Sequence, residues 1–307
     1  MSKEIDRVTA MNIAYYPGCT LKTTAKEFDI STRASTKALG INLVELPRWN
    51  CCGTVHALAK DDVMHHLAPL RNLLRVEEAQ QSGIVDEKRV VALCAMCYNT
   101  LKRSNQAFNA DSDKAGKVKE SMNNEAIVYS GQVEVEHLLE TLRTFGWDKV
   151  QARVSKPLKG LKVAPYYGCL LLRPRGIGID NADNPRVFED LLKALGADVV
   201  EFGYKQKCCG SYHTVHMVDV VADLSNRILT QAQAAGADIV ATACPLCEFN
   251  LGNRQTAVAK KYPKFNGIPI VYFTQLMALA FGLGEDETAL GMNKPDPRPL
   301  LREKGLI

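Results

Sequence analysis

The sequence predicts an α/β protein made of two duplicated domains. Each is expected to be a parallel sheet flanked by helices, with a cysteine-lined site at the carboxyl ends of the strands. Three observations carry this reading. The ten cysteines form two matched sets: Cys19, Cys51, Cys52, Cys94 and Cys97, then Cys169, Cys208, Cys209, Cys244 and Cys247. Their neighbours repeat as well. "YYPGC" answers "YYGC", "CCGTVH" answers "CCGSYH", and "CAMCYNTL" answers "CPLCEFNL". Such self-similarity marks a duplicated unit. Short apolar runs also alternate with helical segments in both halves, the pattern of parallel strands joined by right-handed crossovers.

Taken in order, "NIAYY" (12–16) reads as a buried strand. A helix over roughly 22–39 ends at Gly40, and "INLVEL" (41–46) is a second strand with the CysCys pair just beyond it. A helix over about 61–81 leads to the third strand, "RVVALC" (89–94), and Cys97 opens another helix. The polar stretch 107–125 reads as a surface insertion or short helix, and "EAIVYS" (125–130) as a further strand. Helical residues 132–151 and the segment 154–160 bridge the halves. The second half offers strands at 161–167, 197–202, 237–244 and 268–273. The resulting division is an N-terminal extension (1–10), a first domain (11–153), a second domain (154–285) and a tail (286–307). The tail is rich in proline and charge, and is expected to pack on a partner or stay loose.

Composition narrows the function. The chain of 307 residues is 46% hydrophobic and 23% charged, as soluble globular proteins are. A net charge of +4 is too small to indicate nucleic acid. The N-terminus mixes charges of both signs without an apolar core, unlike a secretory signal. The most apolar run, 271–284, is shorter than the roughly 20 residues of a membrane span, so a buried or interfacial helix is expected there. A cytoplasmic location follows. Thiols stay reduced there, which turns ten cysteines toward metal or redox chemistry rather than structural disulfides. "RGIGID" (175–180) lacks the third glycine and the preceding strand of a dinucleotide motif, so no flavin or nucleotide is expected in this chain.

Three chemistries compete for the cysteines. Structural zinc takes four ligands in a tetrahedron, so five per half leave one over, and an adjacent pair strains that geometry. A thioredoxin-like dithiol at "CAMC" and "CPLC" leaves the other three of each set idle. Iron–sulfur clusters are held by thiolates, and five ligands with two adjacent suit a cluster of irregular shape. Gly53 and Gly210, after the pairs, let the backbone turn or approach closely.

The patterns C-x31-CC-G-x40-C-x2-C and C-x38-CC-G-x33-C-x2-C resemble the doubled cysteine-rich CCG pattern of the heterodisulfide reductase family, in its catalytic B subunit, from Met11 to about residue 285. The resemblance implies two noncubane [4Fe-4S] clusters, each on one five-cysteine set. It implies a catalytic iron–sulfur protein that cleaves or forms a disulfide between them. It also implies partners in the same complex: a flavoprotein (the A subunit) with a ferredoxin-like [4Fe-4S] protein (the C subunit). The implied substrate is a small thiol, disulfide or sulfur-carrier protein. Two alternatives stand beside this reading. One is a CCG electron-transfer component of a membrane-linked, quinone-directed oxidoreductase of the succinate dehydrogenase type. The other is a zinc-stabilised interaction scaffold.

Beyond the cysteines, His56 and His213 hold matched places after the pairs and are candidates for proton delivery or for tuning the site, against a packed structural role. Lys22, Arg173 and Arg175 lie just past Cys19 and Cys169 and are candidates to grip an anionic group of the substrate, against a solvated basic loop.

Overall fold

Eight short strands assemble into two separate four-stranded sheets. The computed structural model describes residues 11–54 and 62–307. In the first half β1 (Met11–Tyr16), β2 (Ile41–Glu45), β3 (Arg89–Ala92) and β4 (Glu134–His137) pair in the order β2-β1-β3-β4, all parallel. In the second, β5 (Lys162–Tyr166), β6 (Asp198–Val199), β7 (Ile239–Thr242) and β8 (Ile270–Tyr272) pair as β6-β5-β7-β8, again all parallel. The two topologies are the same. The central strands β1, β3, β5 and β7 are almost wholly buried along their inner lengths, as parallel strands covered on both faces must be.

Helices cover both sheets, including Lys26–Ala38, Met64–Gln81 and Ala95–Ala110 in the first half and Val218–Ala234 in the second. The halves share one apolar core. Phe28, from the helix Lys26–Ala38, stacks on Tyr272 at the end of β8, with centroids 4.1 Å apart and planes 4° from parallel. Beside it Ser31 Oγ lies 2.7 Å from Thr274 Oγ1, and Ser35 Oγ donates to the Thr274 carbonyl. The apolar run 271–284 supplies this seam. Its helix, Phe273–Ala280, is buried at every residue.

The fourth strand of the first half is not "EAIVYS". It is Glu134–His137, pairing with β3 from Arg89 to Ala92. Side chains pull 125–130 away from the sheet: Arg71 and Arg75 hold Glu125, Glu77 accepts from Ser130, and Tyr129 Oη donates to Asn105. "EVEH" hides as a strand because Glu136 is buried, where it accepts from Thr141 Oγ1 at 2.7 Å. Matched helix starts confirm the equivalence of β4 and β8. Glu140 accepts from His137 N and Gln275 accepts from Tyr272 N. The run 107–125 divides between the end of the helix Ala95–Ala110 and a second helix, Ser112–Ser121, capped by Asp111.

The expected strand 197–202 is reduced to Asp198–Val199, with Val200 N still donating to Val163 O. The chain then leaves the ladder so that Lys205 can reach buried Glu189. The tail does not stay loose but packs on the second half. Leu301 and Leu306 are buried, and Lys304 bonds to Gly160 O and Asp238 of the second half. Among the described residues no helix is long and apolar enough to cross a membrane.

Candidate functional site

Both cysteine sets gather where the parallel topology puts them, at the carboxyl ends of the strands. β1 ends at Tyr16 and β5 at Tyr166, and Cys19 and Cys169 follow within one turn. Cys94 and Cys244 lie two residues beyond β3 and β7, as the N-caps of helices that carry Cys97 and Cys247. The CysCys pairs follow β2 and β6. Cys209 Sγ stands 3.6 Å from Cys247 Sγ. Cys52, Cys94, Cys97, Cys209, Cys244 and Cys247 are buried, Cys169 is half-buried, and Cys19, Cys51 and Cys208 are exposed. Each set therefore has an inner floor and an open rim.

The same scaffold builds both sites. Tyr16 Oη donates to Asn50 O at 2.8 Å, and Tyr166 Oη to Lys207 O at 2.6 Å. Each tyrosine thus clamps the residue before a CysCys pair. Burial, then the nearby thiols, push both phenols far above their ordinary range, so both remain neutral donors. Gly18 and Gly168 hold φ of 71° and 67°, and a Cβ on either would sit 3.1–3.2 Å from Cys97 or Cys247 Sγ. Glycine is needed there for the turn and for the sulfur's space. After the pairs, Gly53 and Gly210 also take positive φ, and backbone amides turn onto sulfur: Thr54 N onto Cys52 and Gly210 N onto Cys208, each at 3.4 Å.

The thiols divide in their ionisation. Close thiol neighbours, Cys169 and Cys97, hold Cys208 down at about 6 and Cys52 at about 7 against burial, while Cys169, Cys97, Cys51, Cys94 and Cys247 are pushed up. The thiolate is the form that binds metal.

The two sites also touch. Cys94 and Cys244 lie close enough across the halves to shift each other's ionisation in opposite directions. Ala95 and Met96 of the first half line the second site's narrow hollow of about 20 Å³, together with Cys169, Cys208, Cys209, Cys244 and Cys247. The helix Ala95–Ala110 grips the Cys169 loop through Asn99, which donates to Leu170 O and Arg173 O at 2.8 and 2.7 Å.

His213 lies exposed on the turn Ser211–Val215 at the rim of the second set, with its ring 5.8 Å from that of His216. His56 lies outside the described residues. Lys22 is engaged with Glu45 at 2.6 Å, and exposed Arg175 with Asp183 at 2.9 Å. Exposed Arg173 makes no ion pair among the described residues.

Sequence reasoning passed over several residues here. His137 is fully buried and bonds Leu93 O through Nε2 at 2.8 Å, fixing the backbone just before Cys94. Glu248 follows Cys247 into the core. Thr100 and Asn250 lie inside the repeated "CAMCYNTL" and "CPLCEFNL", and that match was the signal that could have found them.

The comparisons agree with this construction. The model of the CCG cysteine-rich domain matches residues 13–102 and again 163–252. The chain belongs to this cysteine-rich family and carries its domain twice. It is 33% identical to the membrane anchor subunit of the 8-methylmenaquinol:fumarate reductase of Wolinella succinogenes, over 94% of this chain and 98% of that one. It is 27% identical to the B subunit of the ferredoxin:CoB-CoM heterodisulfide reductase of Methanosarcina mazei, over 92% and 93%. A protein of Archaeoglobus profundus described as like the heterodisulfide reductase B subunit shares 26%, over 89% and 91%. Among solved structures, a hypothetical protein from Helicobacter pylori superposes with a TM-score of 0.73 at 13% identity. The match covers 92% of this chain but about half (51%) of that one, and it shows the fold alone.

Proposed function

We propose that the chain is an iron–sulfur subunit of a multi-subunit oxidoreductase, holding one noncubane [4Fe-4S] cluster on each five-cysteine set. The observation that carries this is the donor set. Five cysteines per half converge at a strand edge, with backbone amides turned onto sulfur at Cys52 and Cys208. Five donors per half, two of them adjacent, suit a multi-iron group better than a zinc tetrahedron. Bound there, such clusters supply one-electron storage at two neighbouring points.

The reaction that best uses two such points is cleavage of a disulfide, RSSR′ plus two electrons and two protons giving RSH and R′SH. The protein's part is to hold the substrate at the rim, beside exposed Cys208 and half-buried Cys169. Exposed His213 would deliver a proton there, and Arg173 is the cation of the three candidates left without a counter-ion among the described residues. A partner flavoprotein, together with a ferredoxin-like [4Fe-4S] protein of the same complex, would supply the electrons. The substrate would be a small thiol compound or a sulfur-carrier protein.

The higher identity to a fumarate reductase membrane anchor favours a second reading, electron transfer to or from a quinone at a membrane surface. One experiment separates them. The anaerobically purified, oxidised protein is mixed with candidate thiols and, separately, with a reduced quinone analogue. A thiol-dependent paramagnetic signal supports the disulfide reaction. Reduction by the quinol with no thiol response supports the second reading and contradicts the first.

A further inference from the structure

The C-x-x-C helices carry matched residues three positions past their second cysteines, Thr100 in the first half and Asn250 in the second. Both staple the residue that follows a CysCysGly. Thr100 Oγ1 donates to Thr54 O at 2.7 Å, and Asn250 Nδ2 donates to Ser211 O at 2.8 Å. Thr54 and Ser211 both sit at positive φ, 63° and 50°, so the staple holds a turn that would otherwise relax.

From there the halves diverge. A hydroxyl has one hydrogen, and Thr100 commits it to Thr54. An amide has two. The second hydrogen of Asn250 faces Cys209, with Nδ2 3.2 Å from its carbonyl oxygen and 3.4 Å from Sγ. Two carbonyl acceptors settle which end of the amide faces the sulfur, because only the NH2 group can donate to them. Asn250 is completely buried and its backbone carbonyl accepts from Ser225 Oγ, so neither water nor rotation readily displaces the contact. Backbone donors to sulfur do not distinguish the halves, since each has one among the described residues, Thr54 N and Gly210 N.

We propose that Asn250 is a positioning residue that sets the two redox centres at different potentials, the second half being the easier to reduce, so that electrons pass from the first half toward the second. This rests on the iron–sulfur reading above. A hydrogen bond to a ligand sulfur draws electron density from it, which favours the more negative, reduced state and raises the potential. Thr100 gives the first half no such bond. The chain therefore has a direction built into one amide.

The test is a redox titration, followed by electron paramagnetic resonance, of anaerobically purified wild type, Asn250→Thr and Thr100→Asn, with iron and sulfide measured on each. Wild type is expected to show two separated midpoints. In N250T the higher midpoint falls toward the lower while the lower stays. In T100N the lower midpoint rises. On transfer to deuterated buffer, the higher-potential signal should lose one more exchangeable-proton coupling in wild type than in N250T, that of the Gly210 amide being common to both. Unmoved midpoints in an iron-replete N250T, or both moving together, would overturn the proposal. Should N250T shed iron, T100N decides, and an unmoved lower midpoint there overturns it. A wild-type chain that binds no iron would instead overturn the cluster reading itself, and this proposal with it.

Discussion

Glu248 shows what a single residue can hide. Directly after Cys247 it reads as one more charged residue on a helix, yet it is 3% exposed, with no cation beside it among the described residues. Burial, then the neighbouring Glu27 carboxyl, raise it from 4.5 to about 8. A folded-state value above the unfolded one means that the folded protein keeps a proton the unfolded chain has released. Between about pH 4.5 and 8 stability therefore falls as pH rises, by at most roughly 1.4 kcal/mol per pH unit. Glu248→Gln removes the titration. Urea unfolding midpoints of the variant and wild type should match near pH 4.5 and diverge in the variant's favour up to pH 8. A constant difference across that range would show that Glu248 does not carry the proton. At this scale the cysteines were legible because their spacing repeats. Glu248 and His137 were not, because burial and partners come from segments distant in sequence.

The elements show the same division. Central strands announce themselves as apolar runs, since both faces are covered, and β1, β3, β5 and β7 fall where the sequence places them. The edge strand Glu134–His137 does not, because its buried Glu136 is held by a hydrogen bond from Thr141 and by Arg89 rather than by solvent. The turn after each CysCys pair was legible from its glycine, and here the structure supplies a magnitude. Gly210 has φ 100°, and a Cβ there would lie 2.8 Å from Val221 Cγ2. Gly210→Ala combines backbone strain with overpacking, for a cost of about 2–4 kcal/mol. Loss of iron from one site is expected as well. Gly40→Ala, at φ 78° with open space around it, isolates the strain alone, about 1–2 kcal/mol with iron retained. Equal losses in the two variants, measured by thermal unfolding and iron content, would show that the contact with Val221 does not matter.

Across the whole molecule, duplication was the most legible feature, while the seam between the copies could not be read from the repeat. The seam depends on Phe28, Tyr272 and Phe273, the last two standing where the first half has His137 and Leu138. Phe28→Ala should cost about 3–5 kcal/mol and weaken both sites together, because the halves share one core. Cys209→Ser, by contrast, should empty the second site and abolish the proposed disulfide reduction while leaving the first half folded. Normal turnover in that variant would make the second site dispensable. The central claim, that each half holds its own iron–sulfur cluster, is tested most directly by elemental analysis of the anaerobically purified chain. The account predicts about eight iron and about eight acid-labile sulfide per chain, four for each cysteine set, and no stoichiometric zinc. About two zinc per chain with neither iron nor sulfide would contradict it.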